Sequence, residues 1–162
     1  MSKSKNVDFL VKTAVVAALY AVLTMVFSFM SYGPIQFRIS EIMTLLAFIS
    51  PAYIPGLVLG CIIANIVSSV SWIDIIVGSL ATLVATYMIS RSKNLFIATL
   101  WPAIFNGLFV GVMLFYVLKW PLLYSILGVA FGELVVVTLG GYPVFKYLLN
   151  RESALLKVLK MK

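Results

Sequence analysis

A short polar run, QFRISE at positions 36–41, separates two strongly apolar stretches of the chain. Because the chain is 63% hydrophobic and only 10% charged, polar side chains beside its apolar segments are unusual. Near a hydrocarbon core, such groups face protein or a wet cavity and usually serve a function. Gln36, Arg38 and Glu41 are therefore predicted to bind a ligand. An alternative is that Arg38 and Glu41 pair with each other and cap a helix that Ser40 begins.

Four further polar residues lie in or beside apolar segments: Asn65, Asp74, Asn106 and Glu133. An ionised carboxylate at the centre of a membrane helix costs about 3 kcal/mol on insertion scales. Glu133 lies well inside its apolar segment, so the sequence predicts a partner or a polar cavity for it. Glu133 either lines a functional cavity or is neutralised by a structural partner such as Asn106.

Small residues mark one face of the first apolar segment. Four alanines there form two overlapping pairs with members four residues apart, Ala14 with Ala18 and Ala17 with Ala21. Small residues at this spacing leave a flat helix face that another helix can approach closely. The spacing predicts a docking surface for a partner protein, and the alternative is packing within the chain itself.

The residue types that are missing argue against an enzyme. The chain has no histidine, which removes the commonest general base and metal ligand. It has no G-x-x-x-x-G-K-[ST] phosphate-binding loop and no metal-binding cluster of usable spacing. The single cysteine, Cys61, is expected to pack as a small hydrophobic residue. We therefore predict no catalytic residue, metal or cofactor, which leaves a binding subunit that needs a separate motor, or a small enzyme or channel of unfamiliar type.

Apolar runs recur along the whole chain, whose mean hydropathy is +1.13. Residues 1–162 are predicted to form one all-α integral membrane domain with six transmembrane helices. The second helix is short, because about eleven residues of helix rise only about 17 Å. The predicted spans are about 9–30, 40–50, 54–69, 73–90, 95–118 and 122–149, followed by an amphipathic helix over 151–162 that would lie on the inner leaflet.

Basic residues orient these predicted helices. An even number of spans puts both termini on one side, and cytoplasmic segments carry an excess of Lys and Arg. With both termini in the cytoplasm, only Arg38 and Lys119 of the 12 basic residues lie outside. The net charge of +7 is thus explained by orientation and by contact with the inner leaflet, and it gives no case for binding nucleic acid.

Several short motifs occur along the chain in a characteristic order. They are Gln36–Glu41, Ile54-Pro55-Gly56 with Ala64-Asn65, Asp74-Ile75 with Gly78–Thr82, Phe105-Asn106-Gly107, and Gly132-Glu133-Leu134 with Gly141-Tyr142-Pro143. Together they resemble the queuosine-precursor transporter family, and the likeness extends from about Asp8 to Leu149. Members of that family are substrate-binding S components of energy-coupling factor (ECF) importers, which are six-helix bundles in bacterial cytoplasmic membranes.

The resemblance implies a ligand and a set of partners. The chain would bind a deazaguanine precursor of queuosine from outside the cell. It would then join a transmembrane coupling protein, on which the alanine pairs would dock, and two ATPase subunits whose ATP hydrolysis drives release inside. The alternatives are an S component for another vitamin or purine-like compound, and a structural membrane protein whose polar residues pair internally.

The resemblance also suggests roles for individual side chains. A guanine-like ring presents two adjacent N–H donors on one edge, which a carboxylate such as Glu133 accepts in parallel. Asn106 offers both a donor and an acceptor, and Asp74 or Glu41 would balance an aminomethyl cation. Two tyrosines near the outer helix ends, which otherwise fit an interfacial aromatic belt, would stack on the ring: Tyr116 and Tyr124.

Overall fold

The computed structural model describes residues 2–33, 35–67 and 71–150. Within these ranges every regular element is helical. The amphipathic helix that was predicted over 151–162 lies outside the described residues, as does part of the turn predicted after the third span, at 68–70.

Along the described ranges, three kinds of helix alternate. The α-helices are α1 Ser2–Val26, α2 Ser28–Ser31, α3 Leu46–Ile49, α4 Ile54–Ile66, α5 Trp72–Arg91, α6 Leu95–Leu118, α7 Leu122–Glu133 and α8 Tyr142–Asn150. Two 3₁₀ helices, Ile39–Leu45 and Pro51–Tyr53, lead into α3 and α4. A π-helix, Leu134–Gly141, joins α7 to α8 without a break. π-Helical turns are rare and are frequently found at functional sites.

Four helical segments in the described part are long and apolar enough to cross a membrane: Asn6–Val26, Trp72–Arg91, Leu95–Leu118 and Leu122–Asn150. Two further apolar helical segments are shorter, Ile39–Ile49 and Pro51–Ile66. The predicted all-α membrane class is therefore confirmed. The prediction of six crossings depends on these two shorter segments and stays a prediction.

Local sequence signals explain where the long helices begin and end. The Asn94 side chain accepts a hydrogen bond of 2.8 Å from the Phe96 amide, so α6 begins at its predicted residue, Leu95. Lys119 ends α6 in the left-handed conformation, with φ 59°. Ser71 caps α5 in the same way as Asn94 caps α6, by accepting from the Ile73 amide at 3.2 Å.

The start of the second apolar segment differs from the prediction. Ser40 was expected to cap this helix, but the 3₁₀ helix already begins at Ile39 and has no side-chain cap. The Ser40 hydroxyl is instead buried and shares a hydrogen bond of 2.6 Å with the Thr24 hydroxyl of α1. Ser40 therefore joins two helices rather than starting one. Glu41 does lie in the first turn of the helix.

Glycines allow α1 and α4 to pack with their backbones close together. A Cβ at Gly56 would lie 2.9 Å from the Thr13 carbonyl oxygen, and one at Gly60 would lie 2.8 Å from that of Ala17. The same device brings α6 to α7, because a Cβ at Gly111 would lie 2.6 Å from the Ile126 Cα. Small residues at such crossings are typical of helix packing in membranes. These contacts hold the polar residues of different helices at short range.

Candidate ligand-binding site

Most of the polar residues predicted for the site gather in one cluster, which has two parts. The part around Arg38, called here the arginine side, consists of Arg38, Tyr32, Cys61, Asn65 and Asp74. Arg38 is only 4% exposed, and its Nη2 donates a hydrogen bond of 3.0 Å to Asn65 Oδ1. The Tyr32 ring lies 5.5 Å from the guanidinium carbon, which is a cation–π distance. Asn65 Nδ2 donates onward, at 3.1 Å, to the backbone carbonyl of Asp74.

The remaining groups of the arginine side complete the surroundings of the guanidinium. The Asp74 side chain is buried and interacts electrostatically with Arg38. Cys61 Sγ lies 3.9 Å from Arg38 Nη1 and accepts a hydrogen bond from the Thr82 hydroxyl at 3.3 Å. Cys61 is fully buried, so its thiol is both a packing group and a weak acceptor beside the arginine.

The other part, called the carboxylate side, consists of Tyr20, Glu41, Asn106 and Glu133. The Tyr20 hydroxyl donates a hydrogen bond to Glu41 Oε1. Arg38 Nη1 lies 3.9 Å from the same oxygen, so Arg38 links the two sides. Tyr20 and Glu41 are both fully buried, although they come from α1 and from the 3₁₀ helix that follows the first loop.

The Glu133 carboxyl is bound in a similar way to that of Glu41, because one of its oxygens accepts a hydrogen bond from another helix. Asn106 Nδ2 of α6 donates a hydrogen bond of 2.7 Å to Glu133 Oε1 at the end of α7. The Asn106 amide also lies beside the Glu41 carboxyl, and the two carboxyl groups interact electrostatically. Two buried carboxyls from distant parts of the sequence therefore face one another across Asn106.

Three polar atoms of the cluster are buried without a hydrogen-bond partner among the described residues: Glu41 Oε2, Glu133 Oε2 and Arg38 Nε. Leaving a buried donor or acceptor unpaired costs about 1–3 kcal/mol, and more when the group is charged. The arrangement thus offers two acceptor oxygens and one donor to a molecule that enters the cluster. This is the chemistry of a site for a polar ligand with several N–H groups.

A close backbone contact fixes the loop that carries Gln36 and Arg38. The Gln36 carbonyl oxygen lies against Gly132 of α7, where a Cβ would overlap it. The neighbouring Phe37 and Phe131 rings pack edge to face with centroids 6.4 Å apart. The first loop is therefore held directly beside Glu133, which brings Arg38 to the carboxylates.

The donor set does not favour a metal. Within the part of the chain that the structure describes, no group of three His, Cys, Asp or Glu side chains is arranged to hold a metal ion.

A cavity of about 330 Å³ lies beside the arginine side and is lined by Met25, Ser28, Phe29, Tyr32 and Val67. Its size suits a small organic molecule.

Comparison with known proteins identifies the family. The family model described as "QueT transporter" matches residues 10–150, which is most of the chain. The chain belongs to the QueT transporter family. The family expected from the short motifs is thereby confirmed, and the matched range contains both sides of the polar cluster.

A relative of this QueT family member is the "Queuosine precursor transporter QueT" of Lactococcus lactis subsp. cremoris (strain MG1363). The two sequences are 51% identical over 86 residues, which cover 52% of this chain and 50% of the relative. The chain thus spans about half the length of the relative that it matches. No solved structure matches the chain.

The structure of this QueT family member brings most of the predicted site residues together. The two sides of the cluster include Arg38, Glu41, Asp74, Asn106 and Glu133, and Gln36 is buried beside them. Two predicted residues lie elsewhere: Tyr116 and Tyr124 are 65% and 51% exposed. Each is about ten residues along its helical segment from the polar residue of the cluster there, Asn106 or Glu133, a rise of about 15 Å. Their stacking on a ligand stays a prediction that their positions do not support.

The four alanines of α1 do not share one exposed face. Ala17 and Ala21 are buried within the chain, at 2% and 4% exposure, and Gly60 packs against Ala17. Ala14 and Ala18 are exposed. Internal packing therefore uses one of the predicted pairs, and only the other is available for a partner.

Sequence reasoning did not assign four members of the cluster to the site: Tyr20, Tyr32, Cys61 and Asn65. Tyr20 and Thr24 stand four residues apart on α1, and both point inward with Ala17 and Ala21. This helical spacing was a usable signal, because a buried phenol requires a hydrogen-bond partner. For Tyr32 and Asn65, the position beside Arg38 depends on the loop path and could not be read from spacing.

Proposed function

We propose that the chain is the substrate-binding membrane subunit of an importer for a queuosine precursor of the deazaguanine class. The observation that carries this proposal is the pair of buried carboxyl oxygens that lack a donor among the described residues, Glu41 Oε2 and Glu133 Oε2. Membership of the QueT transporter family supports a transport function. The name of the Lactococcus relative, a queuosine precursor transporter, supports the ligand class.

The chemistry of a deazaguanine suits the unpaired atoms. Its ring carries several N–H donors and, beside two of them, a carbonyl acceptor. Glu133 accepts the adjacent N–H pair, Glu41 accepts a further N–H, and Arg38 donates to the carbonyl through Nε. A ligand with fewer donors leaves a buried carboxyl oxygen unpaired, and that cost gives the site its selectivity.

The 330 Å³ cavity is the proposed route to the site. Tyr32 lines this cavity and also covers Arg38, so its ring separates the cavity from the guanidinium. The Tyr32 hydroxyl is held by a hydrogen bond of 2.8 Å to the Ala64 carbonyl. For the ligand to pass, the ring must break this bond and leave its cation–π contact with Arg38.

Internal pairing, as in a structural membrane protein, explains only part of the cluster. It accounts for the chain of contacts from Arg38 through Asn65 to Asp74. It does not account for two carboxyls that are each bound through one oxygen and leave the other unpaired. Apolar residues of similar volume would stabilise a purely structural core as well or better.

We propose that the chain crosses a bacterial cytoplasmic membrane six times, with both termini in the cytoplasm. Positive charges on the inner segments and the two shorter apolar helices support this topology. It acts as an ECF S component with a transmembrane coupling protein and two ATPase subunits. ATP hydrolysis belongs to those subunits, so the chain itself is not an enzyme.

The exposed alanine pair is the proposed docking surface for the coupling protein. Ala14→Trp or Ala18→Trp should prevent complex formation in membranes that contain the partner subunits, because a bulky side chain blocks close helix approach. Ligand binding by the isolated variant should persist. Leu19→Trp, at another exposed position of α1, is the matched control. A variant that assembles normally would contradict the proposed surface.

Mass spectrometry tests the ligand class directly. The protein is purified from a bacterial membrane without added ligand, and the small molecules released by denaturation are identified. A deazaguanine should be recovered in near-stoichiometric amount, and the emptied protein should bind added 7-deazaguanine more tightly than adenine. A protein that carries no deazaguanine and binds none on titration would refute the proposed function.

A further inference from the structure

Tyr20 and Asn106 occupy matching positions on the carboxylate side. Each donates a hydrogen bond to the Oε1 atom of one carboxyl, Tyr20 to Glu41 and Asn106 to Glu133. In both carboxyls the second oxygen, Oε2, is buried without a partner among the described residues. The protein thus divides each carboxyl into one bound oxygen and one unpaired oxygen.

We propose that Tyr20 is a positioning residue that sets the specificity of the site by orienting Glu41. This inference rests on the proposed function, because it assigns the unpaired Glu41 Oε2 to an N–H donor of the ligand. A carboxyl that is bound at Oε1 cannot rotate freely about its last side-chain bond. The direction of Oε2 is therefore fixed before the ligand arrives, which lowers the entropic cost of binding.

The surroundings of Tyr20 make it a rigid anchor. It is fully buried in the middle of α1, and a Cβ at Gly60 of α4 would lie 2.8 Å from the Tyr20 Cβ. One turn later, the Thr24 hydroxyl donates to the Tyr20 carbonyl at 2.9 Å and also meets Ser40, the residue before Glu41. The two helices are thus joined by two neighbouring contacts, Tyr20 with Glu41 and Thr24 with Ser40.

Arg38 does not replace Tyr20 in this role. Its Nη1 lies 3.9 Å from Glu41 Oε1, beyond hydrogen-bond distance, and its Nη2 donates to Asn65. The attraction of Arg38 supplies charge but little direction. Without the Tyr20 hydroxyl, the Glu41 carboxyl would keep only the attraction of Arg38 and the neighbouring Asn106 amide, and Glu41 Oε1 would lose its hydrogen bond from α1.

The first test is the affinity of Tyr20→Phe for 7-deazaguanine, measured by calorimetric titration of the purified protein. We expect a loss of about tenfold, the usual size of one lost hydrogen bond to a charged group. The variant should also discriminate less against the analogue that lacks the exocyclic amino group. The control is Tyr53→Phe, which alters another buried tyrosine, near Lys12 and Asp8. It should leave both affinities within about twofold of native.

A double variant separates positioning from a structural role. If Tyr20 acts through Glu41, Tyr20→Phe should change affinity by less than about twofold when Glu41→Gln is already present. This comparison needs only Glu41→Gln and the double variant, so it remains decisive even where Tyr20→Phe alone does not fold. A loss of about tenfold between Glu41→Gln and the double variant would overturn the inference.

The failures of the two proposals are distinguishable. Native protein that does not bind 7-deazaguanine refutes the proposed function and this inference together. Native protein that binds, combined with a Tyr20→Phe variant of unchanged affinity and unchanged discrimination, refutes only the role of Tyr20. A reduced affinity in Tyr53→Phe as well as Tyr20→Phe would likewise reject a specific role for Tyr20.

Discussion

The two sides of the polar cluster differ in how completely they satisfy their own groups. On the arginine side, Arg38 donates to Asn65, which donates in turn to the Asp74 carbonyl, and Tyr32 covers the guanidinium. On the carboxylate side, each of two buried carboxyls uses one oxygen and leaves the other unpaired. The arginine side is thus nearly complete, with Arg38 Nε its one atom that lacks a partner among the described residues, and the carboxylate side is half paired.

This contrast suggests a division of labour. A satisfied buried network rigidifies a protein and specifies one arrangement of its segments. Unpaired buried acceptors lower stability until a ligand supplies donors to them. We therefore expect changes on the arginine side to act mainly on folding, and changes on the carboxylate side to act mainly on binding.

The largest expected effect is on stability, from Arg38→Met. Removing one partner of a buried ionic network leaves the other charges uncompensated and costs about 3 kcal/mol or more in free energy of unfolding. Denaturation of the purified variant in detergent measures this loss. Arg91→Met, at an exposed arginine, is the control and should cost less than about 0.5 kcal/mol. Because Arg38 Nε is also proposed to donate to the ligand, weakened binding is expected as well, but an Arg38→Met variant of native stability would contradict the division of labour.

The next effect is on affinity, from Glu133→Gln. The substitution keeps the shape of the side chain but replaces an acceptor oxygen with a donor group. It should weaken 7-deazaguanine binding by about 2 kcal/mol, roughly thirtyfold, while the free energy of unfolding stays the same or rises. The control is Ser125→Ala, another buried polar position on α7, which should bind normally. Native affinity and native discrimination in Glu133→Gln would assign Glu133 to structure.

The smallest effect comes from a contact that belongs to neither side. Thr24 donates to the Tyr20 carbonyl and also meets the Ser40 hydroxyl at 2.6 Å. Thr86 is its natural comparison, because the hydroxyl of this buried threonine donates within its own helix, to the carbonyls of Thr82 and Leu83, whereas the Thr24 hydroxyl also meets another helix. Thr24→Val should cost about 1 kcal/mol more stability than Thr86→Val, the value of one additional hydrogen bond. Equal losses would show that the Thr24–Ser40 contact contributes no stability.

The sequence predicted well what depends on local signals. The bounds of α6 followed from a capping asparagine and a polar break, and Glu133 followed from the cost of a carboxylate within an apolar helix. The partnership of Asn106 with Glu133 was one of two open explanations, and the structure shows the contact. These inferences needed only the residues themselves and their immediate neighbours.

What the sequence did not predict depends on how segments meet. The pairing of Arg38 with Glu41 was one of two open alternatives, and the structure has that ion pair at 3.9 Å, but the shorter contact of Arg38 with Asn65, 27 residues further along the chain, was not predicted. The spacing of Tyr20 and Thr24 indicated an inward-facing phenol but not its partner, because the Glu41 carboxyl reaches Tyr20 only through the path of the first loop. The 3₁₀ geometry after Arg38 likewise results from tertiary contacts, which outweigh the helix-capping preference of Ser40.

The contact between Gly132 and the Gln36 backbone restricts how related sequences can diverge. The atoms that a Cβ would meet at position 132 belong to the backbone, so no change of rotamer can make room. A relative that keeps the first loop against α7 therefore needs glycine there, whereas the adjacent Glu133 is free to change with the ligand. If a distant relative carries another residue at this position, we expect its first loop to lie away from α7 and its ligand contacts to differ.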